Sequence, residues 1–371
     1  MKQKILSLFI FLVIYPVFAS PLFSPTWGFH IDLPDGYEYA DGNARDRFSF
    51  EGPLNAMFDL VVYNGTYRTM GDLVNDVNRR LGNRGDTDAF AYRDKHAVLI
   101  ELNFGDFIGW GLSIELAKVN GQTPMLLALA YSPKNGPNLE ILHISALDSI
   151  APTEDDELYP GPITEYAFPR GEPKLTPLGK TGISAMIREG DAEAAEYVIE
   201  REFFVMATFV QFGDIQTSMI RFYRAIFRDS WDRITDAASK LKQYFSANTA
   251  TPDKDFAQKA LTWVQSFNYE RDLQGTDFVN LVTSVTEERG DCDSRAMLWA
   301  IILSHADIRA AMMVSVNYSH AMGLADVGGI GAHFEAGGIK WLVAETTAKV
   351  NIGLIDQEIS DIESWFAVLF Y

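Results

Sequence analysis

One stretch limits the folds open to this chain. Gly290-Asp291-Cys292-Asp293-Ser294-Arg295 is a short polar turn that runs straight into an apolar segment, Ala296 to Leu303. Aspartate is a strong helix cap, so the pattern predicts that Asp291 caps a helix carrying Cys292 in its first turn. Unpaired backbone N–H groups and the positive end of the helix dipole favour thiolate over thiol there. Asp291 and Asp293 oppose that anion, so the arrangement calls for a nearby cation, most naturally a protonated histidine. Cys292 is the only cysteine among 371 residues, so no internal disulfide can form. A lone cysteine is by default a small buried hydrophobe. Its place at a helix start argues instead for a nucleophile.

The beginning of the chain reads as an address. Lys2 and Lys4 precede an apolar run from Ile5 to Phe18, followed by the small residues Ala19 and Ser20, which is the layout of a secretory signal peptide over 1–19. The run is short for a membrane span, so a cleaved signal is favoured over an uncleaved anchor, with export to a periplasmic or extracellular space. No cysteine follows it, which excludes a lipoprotein anchor. Cleavage would remove two of the 31 basic residues and leave 29 against 50 acidic ones, a formal charge of −21. So acidic a surface repels phosphate backbones, and no nucleic-acid partner is expected. No stable membrane insertion is expected after cleavage either.

From 22 to 152 the pattern predicts an α+β domain: an antiparallel sheet with flanking helices. Phe29–Leu33, Ala56–Tyr63, Ala97–Phe104, Trp110–Val119 and Met125–Tyr131 read as strands. Asn120-Gly121 is a hairpin turn signal, and Thr69 caps a helix over Met70–Leu81. A closing helix spans about 138–150. Residues 153–181 carry five prolines, from Pro160 to Pro177, and predict an irregular linker at a domain boundary. The second domain, 182–371, opens with helices over 191–210, 216–245 and 253–267. After the cysteine helix come short strands at Ala310–Tyr318, Ala321–Val327, His333–Ala336 and Lys340–Thr346. His30, His96, His143 and His305 read as ordinary structural residues.

The order of helices, cysteine-bearing helix and antiparallel sheet suits a papain-like α+β fold, and the motifs extend the likeness. Gly290-Asp291-Cys292-Asp293, with Ala296 and Leu298, resembles the nucleophile segment of the transglutaminase-like (papain-like) superfamily. His320-Ala321 and Glu345-Thr346-Thr347 follow in the order that superfamily uses, and the Phe256–Phe267 helix resembles its lead-in. The resemblance covers a core of about 253–353. It implies Cys292 as nucleophile, His320 as general base and acid, and Glu345 as the carboxylate that orients the imidazole. His333, which also opens a strand leading toward Glu345, is the alternative histidine. The chain departs from the superfamily pattern in having glutamate where aspartate is usual and Met322 where an aromatic residue is common. Leu33-Pro34, Gly109-Trp110-Gly111 and the 145–150 helix resemble the Mog1/PsbP-like family, which implies an interaction domain.

These features predict an exported cysteine-dependent acyl-transfer enzyme acting on peptide or glutamine-type amides through a thioester, hydrolysing rather than cross-linking. Its expected partner is a protein or peptide substrate, with an envelope protein as a further partner of the first domain. The alternative is a binding or envelope-scaffold protein that keeps the fold without turnover. A metal site at Cys292, His320 and His333 lacks the paired ligands of a zinc motif, and neither metal nor cofactor is expected. The Cys292 N–H is the expected first oxyanion donor, with Gln274 or Asn280 as candidates for the second.

Overall fold

The computed structural model describes residues 21–370, except 247–249 and 271–275. The expected signal segment and Gln274 lie outside the described residues. The fold is α+β, as its sequence pattern predicts. After a small pair, β1 (Leu22–Phe23) with β2 (His30–Ile31), seven strands form an antiparallel sheet. They are β3 (Glu38–Gly42), β4 (Arg47–Glu51), β5 (Met57–Tyr63), β6 (Thr87–Tyr92), β7 (Lys95–Phe104), β8 (Phe107–Glu115) and β9 (Met125–Pro133), in the order β3-β4-β5-β9-β8-β7-β6. Helix α1 (Met70–Leu81) covers one face and α2 (Glu140–Asp148) the other. Alternation divides the strands between two cores: Leu126 and Ala128 face Leu147 of α2, while Leu127, Ile100 and Leu102 meet Leu73 and Val77 of α1. Thr69 and Asp72 form a capping box. Asn120 and Gly121 take positive φ in the turn before β9.

The sequence pattern does not announce β3 or β6. Both are edge strands, exposed along most or all of their length, so their pairing partners hold them in place rather than an apolar face of their own. The expected strand Phe29–Leu33 shrinks to His30–Ile31 and stays outside the large sheet.

Residues 153–181 are not an irregular linker. They hold a turn of 3-10 helix at Glu154–Asp156, helix α3 (Pro162–Ala167) and strand β10 (Pro173–Pro177), which pairs with β11 (Ser184–Arg188). Pro162 sits in the first turn of its helix, where a missing N–H removes no hydrogen bond. Asp148 accepts from the Ile163 and Thr164 amides, both at 2.8 Å, and fastens α3 to the end of α2. Two long helices, α4 (Asp191–Phe209) and α5 (Ile215–Arg233), complete this junction. Arg201 bonds Asp148 at 2.6 Å and Glu202 at 2.7 Å, and Arg221 bonds Glu202 at 2.5 Å and the Ser145 hydroxyl at 2.9 Å. Arg228 donates to the carbonyls of Asp148, Ile150 and Tyr159. Burial works to raise the Glu202 carboxyl, but the two guanidinium groups outweigh it and hold it down at about 2.

The remaining chain runs α6 (Thr235–Phe245), α7 (Pro252–Val264), β12 (Asn268–Tyr269), α8 (Leu281–Glu287), β13 (Arg289–Gly290) and α9 (Cys292–His305). Strands β14 (Ala310–Ser315), β15 (His320–Ala325), β16 (His333–Ala336), β17 (Ile339–Ala344) and β18 (Phe366–Val368) follow. These five form an antiparallel sheet, ordered β16-β17-β15-β14-β18. The single helix expected over 216–245 is broken at Ile234, which leaves helical torsions and buries its side chain in the helical core. The α9 side of the sheet carries Ala321, Ala325, Met312 and Leu342. The far side carries Met322, Leu324, Trp341 and Trp365.

Replacing Arg201 by methionine removes one partner from a buried ionic cluster and leaves Asp148 and Glu202 short of a counter-charge. The expected cost is about 3–5 kcal/mol, read as a fall in the urea unfolding midpoint; a midpoint unchanged from wild type would show that the cluster does not hold the junction.

Candidate active site

The cysteine helix starts where two short strands stop. Helix α8 ends at Glu288 in a left-handed conformation, and β13 then pairs in parallel with β12. Asp291 is the N-cap, and its side chain accepts from the Ser294 amide at 2.7 Å. Gly290 is required by space, since a methyl group there would lie 2.4 Å from the Ser294 hydroxyl oxygen. Arg295 is fully buried and donates to the Gly290 carbonyl at 3.0 Å and to the Phe267 carbonyl at 2.9 Å, tying the helix start to the end of the lead-in helix. The Ser294 amide is occupied by the cap, so the Cys292 and Asp293 amides are left without intrahelical acceptors.

Helix α9 lies on β14 and β15 with its apolar residues buried all round, as befits a helix enclosed in a core. Trp299 sets the distance. It is fully buried, its indole donates to the Ala257 carbonyl at 3.0 Å, and a methyl group on Gly323 of β15 would come within 2.4 Å of its ring. That close approach brings the head of α9 to the beginning of β15, where the Ala321 amide lies near enough to the Cys292 sulfur to favour its ionisation.

His320 is the first residue of β15. Its Nε2 lies 2.8 Å from Glu345 Oε2. Register explains the pairing: β15 and β17 match Gly323 with Ala344, so Glu345 continues opposite Met322, one diagonal step from His320. The other oxygen of Glu345 accepts from the Thr347 amide at 2.7 Å and the Thr347 hydroxyl at 2.6 Å. Gln265 donates to the Glu345 carbonyl at 2.8 Å and to the Val350 carbonyl at 2.9 Å, which fixes the main chain of this turn. Burial works to raise the Glu345 carboxyl, but the His320 bond and charge and the Thr347 donors outweigh it, so it ends below its ordinary range. With Nε2 turned to the carboxylate, Nδ1 is the imidazole nitrogen left for other chemistry.

The sulfur sits in a different field. Cys292 is 8 % exposed. Burial, then Asp293, then Asp291 push its thiol well above the ordinary range, while the Ala321 amide works the other way. The resting group is therefore a thiol, not the thiolate that the helix-start position suggests. Burial also raises the carboxyls of Asp291 and Asp293. Asp293 Oδ1 accepts from the sulfur at 3.4 Å and Oδ2 from the Tyr223 hydroxyl at 3.0 Å.

The structure thus brings His320, not His333, to Glu345. His333 lies on the outer strand β16, opposite Leu342, and its Nδ1 is 2.8 Å from the Gly331 carbonyl. His305 stacks on Trp231 at 4.1 Å, and burial pushes its imidazole down to about 4. Asn280 is committed elsewhere: its oxygen caps α8 and its amide donates to Glu196 at 2.9 Å, which removes it as an oxyanion donor. Among the described residues no three His, Cys, Asp or Glu side chains gather so as to hold a metal ion. Sequence reasoning missed Gln265 and Tyr223. Neither carries a local signal, because each reaches the site from a helix that packs there only in the folded chain.

No family model matches the chain, and no curated protein matches it. The motif-based resemblances, Mog1/PsbP-like included, gain no support there. Solved structures do show likeness. One from Bacteroides thetaiotaomicron VPI-5482 is 12 % identical with a TM-score of 0.25, covering 59 % of this chain and 78 % of its own. A "Putative Cysteine Protease" from Cytophaga hutchinsonii is 11 % identical with a TM-score of 0.25 over 94 % of this chain and 81 % of its own. A "putative protease" from Parabacteroides distasonis ATCC 8503 is 9 % identical with a TM-score of 0.23, over 80 % and 68 %. At such TM-scores the likeness carries no assignment of fold or activity.

Replacing His320 by alanine leaves a buried carboxylate without one of its partners. The depressed Glu345 carboxyl contributes stability above its ordinary value of 4.5 that is lost as pH falls through its folded value. His320→Ala is therefore expected to cost about 1–3 kcal/mol near pH 7, with the deficit shrinking in acid. Unfolding midpoints measured across pH check this, and a deficit that does not change with pH would contradict it.

Proposed function

We propose that this chain is a cysteine-dependent acyl-transfer enzyme acting on peptide or glutamine-type amides, exported by its N-terminal segment. One observation carries the reading: an imidazole bonded at Nε2 to a buried carboxylate begins the strand whose next amide contacts the only thiol in the protein. Glu345 holds the proton on Nε2 and stabilises the imidazolium as it forms. Because Cys292 rests as a thiol, attack and deprotonation are coupled. Sγ bonds to the amide carbon as its proton passes to His320 Nδ1.

The carbonyl oxygen becomes an oxyanion, and the Cys292 N–H, free of intrahelical partners, donates to it. Collapse breaks the carbon–nitrogen bond, and the departing amine takes the proton from His320. Water then attacks the thioester carbon as its proton passes to His320, the carbon–sulfur bond breaks, and His320 returns the proton to Sγ, so that a carboxylic acid leaves and the thiol is restored. An amine in place of water would give a new amide. Water is the acceptor in this scheme, with a protein or peptide as substrate. The seven-stranded sheet with its helices would serve to position the substrate or to dock an envelope protein.

A second reading, a binding or scaffold protein without turnover, is favoured by the same burial and acidic neighbours that keep the thiol protonated. Turnover separates the two. With casein-like and glutamine-donor substrates, Cys292→Ala and His320→Ala are expected to lower kcat/KM by about a thousandfold or more, and His333→Ala by no more than about twofold. No activity in the wild-type protein on any amide tested would favour the scaffold, and activity that survives Cys292→Ala would sink the cysteine mechanism.

A further inference from the structure

The acyl-transfer reading leaves Asp293 without a task. Asp291 already caps the helix, so Asp293 is not needed for that purpose. An acid beside a nucleophilic sulfur opposes its ionisation, and at a solvated helix start this side chain would turn to water. Instead the half-buried Asp293 turns inward, with one oxygen on the Cys292 sulfur at 3.4 Å and the other on the Tyr223 hydroxyl at 3.0 Å. Tyr223 comes from α5, the helix that also anchors the junction through Arg221 and Arg228. Its ring is 3 % exposed and packs against Phe222 at 5.1 Å, so the hydroxyl is held and not free to seek another partner. The chain from phenol to carboxylate to thiol is therefore built from two separate helices, and no cap or turn requires it.

We propose that Asp293, aimed by Tyr223, is a positioning residue that holds the Cys292 sulfur and its proton in one resting orientation until His320 takes that proton. The purpose rests on the acyl-transfer reading; the placement does not. No atom is gained or lost in this step: the S–H bond stays whole at rest, and Asp293 accepts a hydrogen bond without taking the proton. The groups acting on this cluster come from every element packed around it. They are Asp291 and Arg295 on α9, Tyr223 on α5, Asp277 ahead of α8, Tyr269 on β12, His320 on β15 and Glu345 after β17. Asp293 is the acid that touches the sulfur and also feels the charge of His320.

Alkylation of the full chain by iodoacetamide, followed from about pH 6 to about pH 10, tests this without needing a substrate. Asp293→Asn is expected to raise the alkylation rate about tenfold at each pH in this range, the change that a fall of about one unit in the thiol's pKa produces on the rising limb of the profile. Tyr223→Phe is expected to move the profile in the wild-type background and to add nothing to Asp293→Asn, as required of a residue that acts through another. If Asp293→Asn does not fold, judged by circular dichroism, Asp293→Ser is read in the same way. A rate within about twofold of wild type at each pH in the folded Asp293 variant overturns the proposal, as does a Tyr223→Phe change of equal size in both backgrounds. Expected shifts with no amide turnover in any protein would sink the acyl-transfer reading and leave the placement of Asp293 standing.

Discussion

Everything at the site depends on how closely α9 lies on its sheet. Trp299 and the leucine and isoleucine side chains around it are wholly buried, at about 1.5–3 kcal/mol for each large apolar side chain removed from water. That burial can be had in many arrangements, but the contact of Trp299 with Gly323 can be had in one. A residue with a Cβ at 323 would push the helix outward and carry the head of α9 away from β15. The Asp291 cap and the Arg295 clamp then decide where the helix begins. Depth and start point together set the sulfur beside the Ala321 amide. The geometry of the site is a consequence of packing, not of a flexible loop finding its partner.

The two halves of the site sit in opposite electrostatic surroundings. Glu345 is buried but well supplied with donors, so it stays ionised and can hold an imidazolium. Cys292 is buried beside two acids whose effect outweighs that of the Ala321 amide, so it stays protonated. A carboxylate that is charged and a thiol that is not suit a mechanism in which the proton moves only when carbon is attacked. They would not suit a preformed ion pair, since two aspartates next to the sulfur work against the anion that such a pair requires. The resting site is therefore quiet.

The junction beneath α4 and α5 obeys the same physics with another outcome. Asp148, Arg201, Glu202 and Arg221 are nearly inaccessible to water, yet each ion faces an opposite one and the remaining donors find hydroxyls or carbonyls. Such a cluster adds little net stability against an apolar equivalent, but it penalises any other arrangement of the same helices. It makes the seven-stranded sheet a fixed neighbour of the helices that lead to the cysteine, and it ties Tyr223's own helix into that frame.

Much of this was legible along the chain, and the reason is local. The Thr69 helix, the Asn120-Gly121 turn and the α9 cap are each made by residues within a few positions of one another, so composition alone specifies them. The histidine and carboxylate were found because their order matched a known pattern, and the choice of His320 over His333 came from the same source. The prolines of 153–181 misled: Pro162 starts a helix, and Pro173 and Pro177 sit at the ends of a short paired strand, so buried neighbours turned a supposed linker into structure. The edge strands β3 and β6 were invisible because their order comes from the strand beside them. What the sequence determined by itself was a capped helix with a thiol at its head and a sheet carrying two histidines. Tertiary structure alone decided the partners of that thiol, because register joined His320 to Glu345 and helix packing brought Tyr223 across to Asp293. Both are contacts between residues that no spacing along the chain relates.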